Sequence, residues 1–346
     1  MNMAMRLDLG TCALGRAIDA NGSPIDDGPA LRGRSVSLEL RLPRPNERAP
    51  IATPLWTGFR VVDGLLTIGR GARVGIFGAP GSGKSVLLEA IAGGSTADAV
   101  VVALVGERGR EAQHWIARRT ETMTIVCATS DRPACERVAA AQVAVAQADA
   151  LRERGLDVLL VVDSLARIAA ATREIAVGSG EATGRGGYPP SVFAQLARLV
   201  EVAGALRKGS ITLIATVLND GDERDPVSDA ARSILDGHIA LSARLAQYGR
   251  FPAVDVLASA SRTMEQVVEP AHLRAAARVR HALAVLDRVE DARALGIESG
   301  DRATRAAIEA EPRLESFLRQ GSAADCNATL SQLVALAGLL GDDGAA

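Results

Sequence analysis

The sequence predicts an α/β protein, a mainly parallel sheet covered on both faces, with a small helical domain after it. Three observations carry this. Five continuous apolar runs lie between residues 73 and 217, separated by segments long enough to be helices. After Met264 the β-branched runs stop and Ala/Arg/Leu-rich stretches of helical periodicity begin. A glycine-rich signature sits between the first run and the helix that follows it.

The elements follow in order. Residues up to Arg44 are short and turn-rich, with Asn21-Gly22-Ser23-Pro24 and Asp26-Asp27-Gly28-Pro29 as hairpin-type punctuation. This segment is too short for its own core and reads as a tail or a strap across the next domain. Pro43, Pro45 and Pro54 mark an extended linker. Strands are expected at Arg73–Phe77, Val100–Val105, Met123–Cys127, Asp157–Asp163 and Ile211–Val217, with a further strand-like stretch at Ala253–Ala258. A helix begins near Gly83, and a long Ala-rich one fills Arg132–Arg154, stopped by Gly155. Helical periodicity returns at Leu273–Gly296, Ala303–Glu309 and Thr329–Leu340, before a small polar tail, Gly341–Ala346.

Composition narrows the function. The 346 residues are 48% hydrophobic and 23% charged, which is globular usage and excludes a largely disordered chain. Against 41 Asp+Glu, the 39 Lys+Arg leave a net charge of -2 and no domain-wide basic footprint for a nucleic-acid duplex. No apolar run reaches the ~18–20 residues that span a bilayer. Four cysteines without a CxxC pair and four scattered histidines argue against a zinc site or a disulfide framework. Aromatics are only 3%, so Val, Leu, Ile and Ala must build the core.

Gly78-Ala79-Pro80-Gly81-Ser82-Gly83-Lys84-Ser85 fits G-x-x-x-x-G-K-[ST] in the strand-to-helix context that the motif demands. Gly78, Gly81, Ser82 and Gly83 let backbone N–H groups converge on phosphate oxygens, with Val86 following in the helix. Lys84 would neutralise the outer phosphates, and the Ser85 hydroxyl would ligate Mg²⁺. Asp163 ends a buried strand, where a carboxylate faces the ligand crevice of an open parallel sheet and can hold a metal's hydration shell. Glu107, at the tip of the second strand, is either a base that polarises water or part of a solvated charge run. Arg262 is either a surface arginine or a finger acting on a neighbouring subunit. Phe251 is either packing or a platform for adenine.

The stretches Gly106–Glu111, Ala128–Pro133, Arg185–Ala194, Ala231–His238 and Pro252–Arg262 together resemble the ATPases of bacterial type III secretion and flagellar export, relatives of the catalytic subunit of rotary ATP synthases. Gly187-Tyr188-Pro189-Pro190 and Ser130-Asp131-Arg132-Pro133 resemble the export branch in particular. The resemblance implies a RecA-like P-loop core over residues 45–264, a remnant of an N-terminal β-barrel with its linker over 1–44, and a C-terminal helical domain over 265–346. It makes Glu107 the catalytic base with Arg108 and Glu111 nearby, Asp163 the acid beside the metal, Arg167 a γ-phosphate contact, Phe251 the adenine face, and Arg262 the finger.

A protein-secreting ATPase is therefore expected, using ATP and Mg²⁺. The resemblance implies a cytoplasmic homohexamer, peripheral at the inner-membrane export gate. Its partners would be central stalk and stator proteins, secretion chaperones, and effector or flagellar substrates, with no nucleic acid. Because only Leu7–Arg44 of the barrel is matched, weak hexamerisation and low activity are expected of this form. Departures at Ala166, Ile168 and Asn219-Asp220-Gly221-Asp222, and a shorter stretch between Glu111 and Met123, fall mostly in loops or packing positions. Two alternatives differ in kind. A Rho-like ring helicase needs a basic, aromatic RNA-binding domain, which the N-terminal segment does not offer. A non-catalytic nucleotide-binding ring subunit is disfavoured by the presence of Glu107.

Overall fold

In a computed structural model, residues 6–218, 225–294 and 301–340 are described. Asn219-Asp220-Gly221-Asp222 and the tail Gly341–Ala346 lie outside the described residues. The main strands of the central sheet are, in chain order, β1 (Ala17–Ile18), β2 (Arg73–Gly78), β3 (Ala99–Val105), β4 (Met123–Ala128), β5 (Asp157–Asp163), β6 (Ser210–Leu218), β7 (Gly237–Leu241) and β8 (Val254–Ser261). They lie in the order β8-β7-β2-β6-β5-β3-β4-β1, and every neighbouring pair except β7–β8 is parallel.

All five expected runs form strands. A pleated strand points successive side chains to opposite faces, so two-sided burial demands continuous apolar sequence. In β3, Val100, Val102 and Leu104 enter one core while Ala99, Val101, Ala103 and Val105 enter the other. The strand expected at Ala253–Ala258 extends to Ser261. β7 is not visible in the sequence because its five residues, Gly-His-Ile-Ala-Leu, alternate burial and carry no long apolar run.

Helices α1 (Lys84–Gly94), α2 (Gly109–Arg118), α3 (Ala134–Arg152), α4 (Leu165–Gly178), α5 (Pro190–Glu201) and α6 (Pro226–Ile234) clothe the sheet. Gly155 stands three residues beyond α3 with φ +91°, a left-handed turn that favours glycine. The C-terminal helices are α7 (Pro270–Ala294), α8 (Arg302–Leu318) and α9 (Cys326–Leu339). α8 runs well past the stop expected at Glu309, straight through Pro312. An interior proline costs about 3 kcal/mol, but Ala307, Ala310, Leu314, Phe317 and Leu318 continue the buried helical stripe across it. These side chains join the same apolar core as Leu87, Leu88 and Ile91 of α1.

The N-terminal segment is a strap. Arg6–Leu9 pairs antiparallel with Arg34–Ser37, and β1 extends the central sheet beyond β4. Fully buried Gln147 of α3 accepts from Gly10 N at 2.6 Å and donates to Gly10 O at 3.0 Å. Arg16 grips Asp26 through two 2.9 Å bonds, and Ala17 N donates to the same carboxylate.

Candidate functional site

The sheet order places β2, β6, β5 and β3 side by side, so their C-terminal tips share one crevice. Gly78 ends β2 and Lys84 opens α1, with Gly81 and Gly83 turned to φ +78° and +92° between them. Gly78 is fixed by space, because a Cβ there would sit 2.5 Å from Ser82 Oγ. Lys84 is buried, and its Nζ donates to the carbonyls of Gly78 at 2.6 Å and Ala79 at 2.8 Å. The loop therefore curls around its own ammonium.

Asp163, at the end of β5, is buried on the adjacent tip. Ser85 Oγ donates to its Oδ2 at 3.3 Å and Thr216 Oγ1 to its Oδ1 at 2.5 Å. Burial pushes the Asp163 carboxyl up, while those two hydroxyls and the charge of Arg167 pull it back. Thr216 does not emerge from the sequence. It is one of three hydroxyl residues in β6, beside Ser210 and Thr212, and it becomes meaningful only once β6 lies beside β5.

Glu107 follows β3 and is 5% exposed. Burial, a hydrogen bond with Glu111 and the charge of Asp163 push it up to about 8, against the pull of Arg167. Arg167 Nε lies 2.8 Å from Glu107 Oε1, and its Nη1 donates to the carbonyl of Gly106. Gly81, Gly83, Lys84, Ser85, Val86, Glu107, Arg108, Glu111, Asp163, Arg167 and Thr216 all line one cavity of about 430 Å³. A site of that size suits a nucleotide-sized ligand.

Two expected residues lie elsewhere, while Val86 lines the cavity at its rim, 72% exposed. Phe251 is 56% exposed and does not line this cavity; its carbonyl accepts from Gln320 N at 2.8 Å. Arg262 follows β8 and is exposed, with only its backbone N–H bonded, to Asp236 O at 3.0 Å; among the described residues its side chain forms no hydrogen bond or ion pair.

The Ser85 hydroxyl and the Asp163 carboxylate are hard oxygen donors of the kind Mg²⁺ takes when phosphate and water complete its shell. Among the described residues no group of three or more His, Cys, Asp or Glu could hold a metal by itself. Buried Ser82 Oγ has no hydrogen-bond partner and sits within the phosphate loop, a donor left for an incoming anion. The residues therefore fit a phosphate-bound cation better than a free-standing one.

Comparison with known proteins decides the family. Residues 58–261 match the ATP synthase alpha/beta family nucleotide-binding domain, and residues 268–335 the C-terminal domain of the type III secretion ATPase EscN. The chain is 43% identical to the type 3 secretion system ATPase of Xanthomonas euvesicatoria, covering 91% of this chain and 74% of that protein. The chain belongs to the type III secretion and flagellar export ATPases. This ATPase is also 42% identical to the flagellum-specific ATP synthase of Bacillus subtilis, over 98% of the chain and 80% of the relative. Its fold superposes on the assembled ATPase EscN from enteropathogenic E. coli with a TM-score of 0.92 at 41% identity, covering 96% and 84% of the two chains. EscN in complex with its central stalk EscO gives a TM-score of 0.90 at 41% identity, covering 96% and 83%. The export ATPase thus carries an α/β nucleotide-binding core followed by helices, as its sequence predicts.

Proposed function

We propose that this protein-secreting ATPase hydrolyses ATP in a homohexameric ring, at sites that two neighbouring protomers complete. One protomer supplies Gly78–Val86 as the phosphate cradle and Lys84 as the cation on the outer phosphates. Ser85 and Asp163 would hold Mg²⁺, which draws charge off the terminal phosphoryl group during transfer. Glu107 accepts the proton of the attacking water, the task its elevated affinity for protons suits near neutral pH. Arg108 and Glu111 line the same cavity, and Phe251 offers its exposed ring to the base.

Arg262 of the adjacent protomer is the finger, stabilising charge on the transferring phosphoryl group. The observation that carries this reading is a separation. Lys84, Ser85, Glu107 and Asp163 converge in one cavity, whereas Arg262 lies outside it, exposed, its side chain forming no hydrogen bond or ion pair among the described residues. A ring of identical chains brings the two halves together at every interface.

Nucleotide-driven opening and closing of those interfaces would turn hydrolysis into work on a central stalk, as the EscN–EscO complex suggests, and so energise unfolding, chaperone release and export of effector or flagellar substrates. Stator proteins and a peripheral inner-membrane site complete the proposed setting. The chain divides for these tasks into a remnant of an N-terminal β-barrel with its linker over 1–44, the ATPase core over 45–264 and a C-terminal helical domain over 265–346.

The test is ATPase rate against protein concentration. Specific activity should climb steeply as protomers associate, and Arg262→Ala should abolish the climb. A specific activity independent of concentration and indifferent to Arg262→Ala would overturn the shared site.

A further inference from the structure

Arg60 opens a short helix, Arg60–Leu65, that precedes β2. Its guanidinium reaches the C-terminal end of α8, where Nε donates to Phe317 O at 3.1 Å and Nη2 to Ser316 O at 2.9 Å and Arg319 O at 2.5 Å. The last turn of a helix leaves carbonyls without intrahelical partners and carries partial negative charge, so one planar cation answers both needs. The exchange is reciprocal. Gln320 Oε1 accepts from Arg60 N at 2.8 Å, which satisfies an orphan N–H at the start of the short helix.

The loop before Arg60 completes the lock. Gln320 Nε2 donates to Gly58 O at 2.5 Å, and Ala324 N donates to the same carbonyl at 2.8 Å. Gly58 turns at φ +82°, where a Cβ would stand 3.0 Å from that of Ala323. Buried Asp63 holds this loop from within, accepting from Thr57 N at 2.8 Å, Thr57 Oγ1 at 2.7 Å and Gly58 N at 2.9 Å. The end of α8 also holds the turn that bears Phe251. Gln320 N donates to Phe251 O at 2.8 Å, and Glu315 of α8 pairs with the Arg250 guanidinium, Nε to Oε2 at 3.3 Å. Arg250 N donates within its own turn, to Leu245 O at 3.0 Å. The Phe251 side chain is exposed, so its backbone rather than packing sets where the ring stands.

We propose that Arg60 is a positioning residue for the base half of the nucleotide: by locking the end of α8 to the loop at Gly58, it fixes the turn on which Phe251 offers its ring to adenine. The proposal rests on Phe251 being the adenine face. The phosphate cradle and Asp163 stand on other segments, β2, α1 and β5. Loss of the lock is therefore felt at the base and not at the phosphates.

The experiment measures the binding of AMP-PNP and of tripolyphosphate, each with Mg²⁺, to full chains carrying Arg60→Met, Arg60→Lys, Phe251→Ala or the Arg60→Met/Phe251→Ala pair. Both probes present a chain of phosphoryl groups, and AMP-PNP alone has a base. Arg60→Met keeps an unbranched stem and removes the donors. It should weaken AMP-PNP about tenfold with tripolyphosphate held within about twofold. Arg60→Lys, a cation without the planar fork, should recover part of that loss. The pair should bind AMP-PNP no more weakly than Phe251→Ala does.

An equal fall for both probes would make Arg60 general scaffolding and overturn the proposal. So would an unchanged probe ratio in Arg60→Met, or losses that multiply in the pair. If Arg60→Met does not fold, the ratio is read on Arg60→Lys, where no change would overturn the proposal. An unchanged ratio in Phe251→Ala would overturn the adenine reading itself, a separate failure seen without touching Arg60.

Discussion

Thr216 and Ser85 divide a single buried carboxylate between them, the first on Asp163 Oδ1 at 2.5 Å and the second on Oδ2 at 3.3 Å. The neighbouring strand thereby orients the acid that the phosphate loop uses. Thr216→Val keeps the shape and removes the donor, leaving Oδ1 unpaired in a buried site. The expected cost is about 1–3 kcal/mol in urea unfolding, with a higher Mg²⁺ concentration for half-maximal turnover. An unmoved unfolding midpoint together with an unmoved Mg²⁺ requirement would show that Thr216 orients nothing.

Glu107, pushed up to about 8, predicts opposite pH trends for activity and stability. A base acts ionised, so turnover should rise with pH through that value. The folded group keeps a proton that the unfolded chain has already released above its ordinary 4.5, so its contribution to stability falls as pH climbs from there to about 8. Turnover and Tm measured between roughly pH 6 and 9 should show both trends in the native chain and neither in Glu107→Gln. A flat native rate profile would count against the assignment.

Arg262→Ala should keep nucleotide affinity and lose about 10³–10⁵ in rate. Mixing gives a sharper check. Chains carrying Arg262→Ala retain Glu107, and chains carrying Glu107→Gln retain Arg262, so a co-assembled ring contains some interfaces with both groups intact. Two inactive preparations should regain measurable turnover on mixing. No recovery from rings shown by light scattering to have co-assembled would rule out donation between protomers.

Asp26 anchors the strap. The Arg16 guanidinium beside it holds its carboxyl far below the usual carboxylate range, and two backbone N–H groups assist. A depressed carboxyl contributes stability above its ordinary value near 3.8 and loses it as pH falls further. Asp26→Asn should cost about 3 kcal/mol, since the Asp26 carboxylate is enclosed and Arg16 is half-buried against it. Hydrogen exchange would read it directly, because Ala17 N donates to Asp26 and its amide should lose protection first. Equal protection in both proteins would show that Asp26 does not anchor the strap.

Where chemistry is local, the sequence is a good guide. The P-loop and the carboxylate of Asp163 each announce themselves within a few residues, because a phosphate cradle needs glycines in one turn and an acid needs only a strand to end on. What cannot be read arises from pairing across long separations. Thr216 and Asp163 are 53 residues apart and meet only because β6 lies beside β5. Arg167 and Gly106 are 61 apart. Motif resemblance puts Glu107 and Arg167 in one site, but the guanidinium fork that joins them exists only once α4 and the β3 loop are packed. The strap stays open in the sequence for the same reason: β1 has two residues, and its strandhood depends on β4 offering an edge.

The C-terminal helices and the phosphate-loop helix draw on one shared apolar interior, in which Phe317 and Leu333 belong to the same packed mass as Leu88 and Ile91. Close-packed interiors are stiff and pass strain along. A pull on the far helices would therefore reach the glycine turn through that shared interior.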